Sequence, residues 1–344
     1  MNYLKSKRTL FALFLVTIVV FAIKATITFY SERLNNKAVA TRDNTIRIAY
    51  LKRAMEMNSD NPLFQINLAF AYAETDSNIS LLNFLSNNTL NSVEIDSAII
   101  YAESACKRDS TNAVFCANAG ILHFMKGNTP KAINYLCTAV RATNEKTILV
   151  ALGLIAERNE DRVLATDSYT RAITIAPDLR CSQFFADLWH RDSLLAIEVE
   201  NNALKKLRQQ CEDNENTAAR ARLAKMLLDN GEFQQADSLL KIVITQLPNM
   251  NRPYLYLGNI AEVQGDTVSA LQYYQTAQKL DEGDLLAIYH QNKLKGKNYK
   301  EYTDYVREQK TSNLQFRTSY VYGARLLKFI CIKGFEQYIE PRIE

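Results

Sequence analysis

The sequence predicts an all-α protein: a solenoid of antiparallel helix pairs preceded by one transmembrane helix. Three observations lead there. A pattern of small, large and turn-forming residues recurs 34 residues apart in the second half of the chain. Hydrophobic residues make up 47% and charged residues 23%, with ten Gly and six Pro, a balance that suits a folded, mostly helical chain. And the chain opens on a stretch, from Thr9 to Ile23, that is uncharged and nearly all apolar.

The repeat is clearest between Thr217 and Asp284. Counted from Asn251, offsets 4, 7, 8, 15, 20, 24 and 27 hold Tyr254, Leu257, Gly258, Gly265, Ala270, Tyr274 and Ala277. Counted from Thr217, the same offsets hold Arg220, Leu223, Ala224, Gly231, Ala236, Leu240 and Val243, and Pro248 follows. Small residues at offsets 8 and 20 let two helices approach closely. Gly at offset 15 suits the turn between them, where a positive φ is cheap. Pro248 cannot continue a helix and ends the second one. This pattern resembles the tetratricopeptide repeat family, whose unit is two antiparallel helices with a period of 34. The resemblance implies a fold and a binding role, and no reaction.

Residues 1–30 read as a basic tail and an anchor. Lys5, Lys7 and Arg8 precede the apolar run. Residues 10–30 as a helix reach across a bilayer core of about 30 Å. Lys24 lies near the far end, where it can snorkel, and Phe29 and Tyr30 suit an interfacial belt. A cleaved signal peptide is the rival reading, but Ile23-Lys24-Ala25 makes a poor cleavage site. An uncleaved membrane anchor is expected. The basic tail favours a cytoplasmic N-terminus, although Arg33, Lys37 and Arg42 follow the span, so the repeats are expected outside the cytoplasm.

Residues 31–61 read as an N-terminal half-repeat helix, with Ile46, Ala49, Tyr50, Leu51 and Ala54 on one face. Residues 62–179 read as a sub-array of repeats starting at Pro62, Ala113 and Lys146. The first of these carries an insertion at 76–93, polar and Asn/Ser-rich around Leu81-Leu82-Asn83-Phe84-Leu85, which is either a tolerated surface loop or a functional one. Residues 180–216 fit the pattern weakly and mark a degenerate repeat or a break. The two clear repeats span 217–284. Residues 285–344 hold a further degenerate pair and a C-terminal cap, as a solenoid needs at an exposed end.

No catalytic, cofactor-binding or metal-binding constellation is expected. His190-Arg191-Asp192 lacks the Asn that a kinase catalytic loop needs, and Ile197 stands in its place. His123, His190 and His290 have no metal spacing. Lys297 to Tyr302 interleaves basic and aromatic residues, but Glu301, Asp304 and Glu308 are expected in the same helix, so a solvated helix face is expected in place of a nucleic-acid surface. The six cysteines are Cys106, Cys116, Cys137, Cys181, Cys211 and Cys331. They form no Cys-x-x-Cys pair and are expected as buried free thiols, with Cys106 and Cys116 the best candidates for a bridge.

In the family it resembles, the first helix of each repeat lines a concave surface. Carried over by position, the resemblance implies a partner-binding face of Leu63, Ile66, Phe70, Val114, Ile121, Phe124, Leu154, Arg158, Arg252 and Glu262. Its N-terminal half is apolar and its C-terminal half mixed. Either a protein or peptide occupies the apolar half, or the helix around Ser31–Asn58 already covers it. The expected function is a membrane-anchored scaffold for protein or peptide binding. The second reading is a cell-envelope polysaccharide assembly factor that contacts glycan or a glycan-handling complex.

Overall fold

A computed structural model describes residues 2–86, 88–212, 216–282, 284–296, 332 and 335–339. Among the described residues there is no strand. The helices are α1 (Asn2–Ala40), α2 (Asn44–Met57), α3 (Pro62–Thr75), α4 (Leu81–Leu85), α5 (Val93–Arg108), α6 (Ala113–Met125) and α7 (Thr129–Ala142). Then come α8 (Lys146–Arg158), α9 (Arg162–Ile175), α10 (Gln183–Arg191), α11 (Ser193–Glu212), α12 (Thr217–Asp229) and α13 (Phe233–Gln246). The last are α14 (Asn251–Val263), α15 (Thr267–Leu280), α16 (Leu285–Leu294) and α17 (Phe335–Ile339). The chain falls into two compact units, parted between Thr143 and Asn144.

In the first unit α1 does two things without a break. Its upper part is bare: Phe14, Phe21 and Phe29 are all more than 60% exposed. Its last turns are buried at Ser31, Asn35 and Ala38, where Asn67 donates a hydrogen bond of 2.8 Å to Asn35. Ala38 joins Leu51, Leu68 and Ala71 in one core, with Tyr50, Tyr72 and Tyr101 packed around it. The expected half-repeat is therefore a helix pair, formed by the end of α1 and by α2. Asp43 caps α2 by accepting from the Thr45 and Ile46 amides. The pairs α3/α5 and α6/α7 follow.

The insertion is folded onto the next repeat, against α6. Ser80 caps the short α4, and Ser92 caps α5 while its hydroxyl donates to Asp76 at 2.5 Å. The Leu90 amide donates to the Met125 carbonyl at 2.8 Å, which satisfies one orphan acceptor at the end of α6. Cys106 and Cys116 form a disulfide with Cα atoms 4.8 Å apart, tying the end of α5 to the start of α6. The expectation of buried free thiols fails here. It fails also for Cys137, Cys181 and Cys211, none of which is buried, while Cys331 lies outside the described residues. Spacing alone could not show that the repeat junction brings these two sulfurs face to face.

In the second unit α8/α9, α10/α11, α12/α13 and α14/α15 form pairs, and α16 packs on α15. Residues 180–216, expected as a degenerate repeat or break, hold a nine-residue α10 and a twenty-residue α11. The C-terminal cap lies mostly outside the described residues. Its described part, α17, packs on α10. Gly231 and Gly265 take φ of 80° and 79° at the expected turns. Glu160 holds the same repeat position with φ 58°, a conformation that L-residues other than Asn and Asp rarely adopt.

Close approach is set by one pair of positions. A Cβ on Gly258 would meet the Tyr274 ring at 2.5 Å, one on Gly153 the Tyr169 ring at 2.2 Å, and one on Gly120 the Leu136 side chain at 2.8 Å. Where offset 8 is Ala224, offset 24 is Leu240. Gly258→Ala should therefore lower the melting temperature. Overpacking costs about 1–3 kcal/mol, more than the roughly 1 kcal/mol that helix propensity returns. Adding Tyr274→Leu should recover part of the loss, because that combination already stands at Ala224 and Leu240. A double-mutant cycle by thermal melting reads this coupling.

Candidate functional site

Part of the apolar half of the expected face is filled by the chain itself. Ile66, Ile121 and Phe124 are at most 4% exposed, and Leu154 is equally buried. For Phe124 the cover is visible: Phe84 of α4 packs edge-on against it with ring centroids 5.2 Å apart. The insertion, not the Ser31–Asn58 region, supplies that ring. These four side chains are not offered to a partner in this state. Phe70 and Val114 are half-buried, and Leu63 is 37% exposed.

The polar half is built differently. Arg252 is exposed, and Arg158 and Glu262 are half-buried. Tyr274 reaches from α15 across Gly258, and its hydroxyl lies 2.7 Å from Glu262 and 2.8 Å from Asn259. Glu262 also receives His290 at 3.0 Å and the Lys293 ammonium at 2.9 Å, both from α16. The hydrogen bond with His290, followed by those with Tyr274 and Lys293, overcomes burial and holds this carboxyl at about 2.

The same device stands at the start of the unit. Tyr169 crosses Gly153, and its hydroxyl donates to Glu157 at 2.7 Å. Arg191 of α10 donates to both oxygens of Glu157 at 3.1 and 3.2 Å. Glu157 and Glu262 stand at matching offsets of their repeats, and sequence reading missed the relay built on them. The signal was present as Gly, Glu and Tyr recurring together at offsets 8, 12 and 24.

Between these two rungs, Lys225 is buried. Its ammonium lies 2.6 Å from one Asp229 oxygen and 3.5 Å from Asp178. Burial works against its charge, yet Asp229 and Asp178 prevail and its pKa is raised. The Tyr256 ring lies under the ammonium at 5.9 Å. Arg180 pairs with Glu200 and donates to Asn230 at 2.8 Å. The first helices of this unit thus carry fixed ion pairs, with the rings of Tyr169, Tyr256 and Tyr274 buried behind them. Such a surface can hold a polypeptide by hydrogen bonds, since its charges are already oriented.

At its C-terminal end, the face carries the repeat register in full, and residues 221–284 match the tetratricopeptide repeat family. This part of the chain carries tetratricopeptide repeats. The chain is similar to a solved tetratricopeptide repeat protein from Parabacteroides merdae at 17% identity, covering 77% of this chain and 98% of that one, with a TM-score of 0.36. It is also similar to PilF of Pseudomonas aeruginosa at 14% identity, covering 78% and 99%, TM-score 0.34. A third is YrrB, described as a tetratricopeptide repeat protein with an unusual peptide-binding site, at 17% identity, covering 70% and 97%, TM-score 0.30. No curated protein matches the chain. At such low scores the assignment rests on the repeat register and the family match.

Two variants probe the two halves of the tetratricopeptide face. Phe124→Asp should destabilise the first unit by about 3–5 kcal/mol or more, since truncation of a buried Phe alone costs that much and a carboxylate is worse. Unchanged melting would mean that Phe84 does not cover it. Glu262→Gln should flatten acid denaturation. The folded pKa of Glu262 is depressed from 4.5 to about 2, so its stabilisation is present above the unfolded value and lost as pH falls between the two. Melting curves between pH 5 and 2, about the span of that titration, should fall more steeply for the wild type than for the variant.

Proposed function

We propose that this chain is a membrane-anchored tetratricopeptide scaffold that holds a protein or peptide partner outside the cytoplasm, with a binding rather than a catalytic role. The observation that carries the reading is the continuity of α1. One helix runs from a bare apolar segment into the core of the first helix pair. The segment from Phe14 onward is long enough to cross a membrane, and only 6% of its most apolar window is buried. A core helix of a soluble protein would be covered, because exposing that many large apolar side chains to water forgoes about 1.5–3 kcal/mol for each. A removed signal peptide would leave the buried turns at Ser31, Asn35 and Ala38 close behind the cut. The span is better read as retained.

The disulfide supports the side of the membrane. Such bonds persist in oxidising compartments and are rare in the cytosol. A cytoplasmic basic tail and a span over residues 10–30 put Cys106 and Cys116 on the opposite side.

Within the array, Arg158, Arg252 and Glu262 are the proposed contacts for a partner, with Leu63, Phe70 and Val114 as the accessible apolar margin of the first unit. The proposal excludes Ile66, Ile121, Phe124 and Leu154 as contacts in this state. Its test joins fractionation and thiol counting. The full-length protein should stay in the membrane pellet after alkaline carbonate washing, with its N-terminus intact. Maleimide labelling of denatured protein, with and without prior reduction, should show two additional thiols after reduction. A soluble mature form beginning after Lys24 would overturn the anchor, and an unchanged thiol count would remove the support for the compartment. Affinity purification after crosslinking, repeated with Arg252→Glu, reads partner capture directly.

A further inference from the structure

We propose that the edge of the first unit at the α2–α3 turn, flanked by Met57 and Leu63, is a lipid-contacting surface. It lies in the headgroup layer of the bilayer that the chain's own anchor crosses. The proposal rests on the reading of α1 as a retained span.

Height along α1 decides what this edge meets. At 1.5 Å per residue, a span over residues 10–30 fills a hydrocarbon core of about 30 Å, and the headgroups add about 5–8 Å on each side. That layer reaches roughly three to five residues further, to about Asn35. The protein begins inside it. Tyr30 is 50% exposed and Ser31 is fully buried, with no break in the helix between them. Whatever covers Ser31 and Asn35 therefore shares the headgroup layer with them.

The contacts of α1, α2 and α3 fix which residues those are. Asn67 donates to Asn35, 32 residues away, and Ala38 shares a core with Leu68 and Ala71. So α3 runs alongside α1 in the same direction, with Leu63 level with Ser31 and Pro62 level with Tyr30. The α2 helix runs the other way. Arg47 near its start pairs with Glu74 near the end of α3, which sets Met57 level with Phe64. Arg108 pairs with Asp60 at 2.7 Å, so the end of α5 joins the same edge. A span tilted by about 20° moves a neighbouring helix axis, about 10 Å to the side, by only about 3–4 Å, less than the depth of the layer. The side chains agree with this placement. Leu63 and Met57 are exposed, whereas Phe64, Ile66 and Leu68 on α3 are at most 1% exposed. Around them Arg33, Lys107 and Arg108 stand with Glu32, Glu56 and Asp60, three charges of each sign, so the surface suits zwitterionic lipid and needs no anionic one. Leu63 then meets lipid, and the apolar margin left to a partner is Phe70 and Val114. Since the helix axes follow the anchor, the pairs α3/α5 and α6/α7 stack sideways along the bilayer.

The test uses the full-length protein in phosphatidylcholine vesicles, with tryptophan as reporter. Trp189 is the single tryptophan of the chain, so Trp189→Phe gives a dark background. Into it go Met57→Trp and Leu63→Trp at the edge, Phe29→Trp in the span, and Thr75→Trp at the far end of α3, about 18 Å higher than Leu63. All four sites are exposed, so each variant should melt like the wild type. With lipid brominated near the headgroup end of its chains, Phe29→Trp, Met57→Trp and Leu63→Trp should each lose at least about a third of their emission, as interfacial rings do, and Thr75→Trp none. Quenching of Phe29→Trp with neither edge residue quenched would overturn the lipid surface and leave the anchor standing. No quenching of Phe29→Trp would overturn both. Equal quenching of Thr75→Trp and Leu63→Trp would overturn the placement of this edge.

Discussion

Two helices can pack closely only if one gives up a side chain where the other has a large one. In this chain that exchange sits at a fixed pair of positions. Gly120, Gly153 and Gly258 leave room for Leu136, Tyr169 and Tyr274, and no Cβ fits in any of the three. When the large partner is tyrosine, the consequence extends beyond packing. The ring must cross the first helix, so its hydroxyl emerges on the far side and meets Glu157 or Glu262. Each carboxylate then takes a basic side chain from the next first helix, Arg191 in one case, His290 and Lys293 in the other. One steric constraint thus sets helix spacing, stacks successive pairs and fixes the charges of the proposed binding face.

The first unit solves the same geometry with apolar residues. Leu136 takes the place of tyrosine, Phe124 takes the place of glutamate, and no hydroxyl or carboxylate emerges. An apolar face left open to water would be an aggregation risk. The insertion answers that risk by carrying Phe84 onto Phe124. A long loop within a compact repeat is expensive unless something holds it. Here its backbone is held by the Leu90–Met125 bond and its base by Ser92 and Asp76.

These particulars show what the sequence reveals and what it conceals. Repeat register was legible because it is local and periodic: offsets 8, 15 and 20 constrain each helix pair within some thirty residues. The long apolar helix at the N-terminal end was legible because its composition is local too. Cover was not legible. Phe84 and Phe124 are forty residues apart, and a five-residue helix such as α4 has no period to read. The disulfide was only half legible, since spacing named Cys106 and Cys116 but could not show that their Cα atoms stand 4.8 Å apart. Glu160 hid a turn, because a residue with φ 58° carries no glycine to announce it. Of the ten residues expected on the binding face, the buried ones, Ile66, Ile121, Phe124 and Leu154, are all apolar. An apolar side chain at an inward offset is as well satisfied by its own chain as by a partner, and periodicity does not distinguish the two.

That asymmetry bears on what the second unit can recognise. Its pairs at Glu157, Lys225 and Glu262 are internally neutralised, so a partner gains little from a single opposite charge. On the proposed reading, the ion pairs hold Arg191, His290 and Lys293 in fixed orientations, which lowers the entropy cost of ordering them, and these charges form a rim that rejects poorly matched segments. Behind that rim the aromatic rings are core: Phe184 lies 5.1 Å from the Tyr169 ring and 6.2 Å from that of Tyr338.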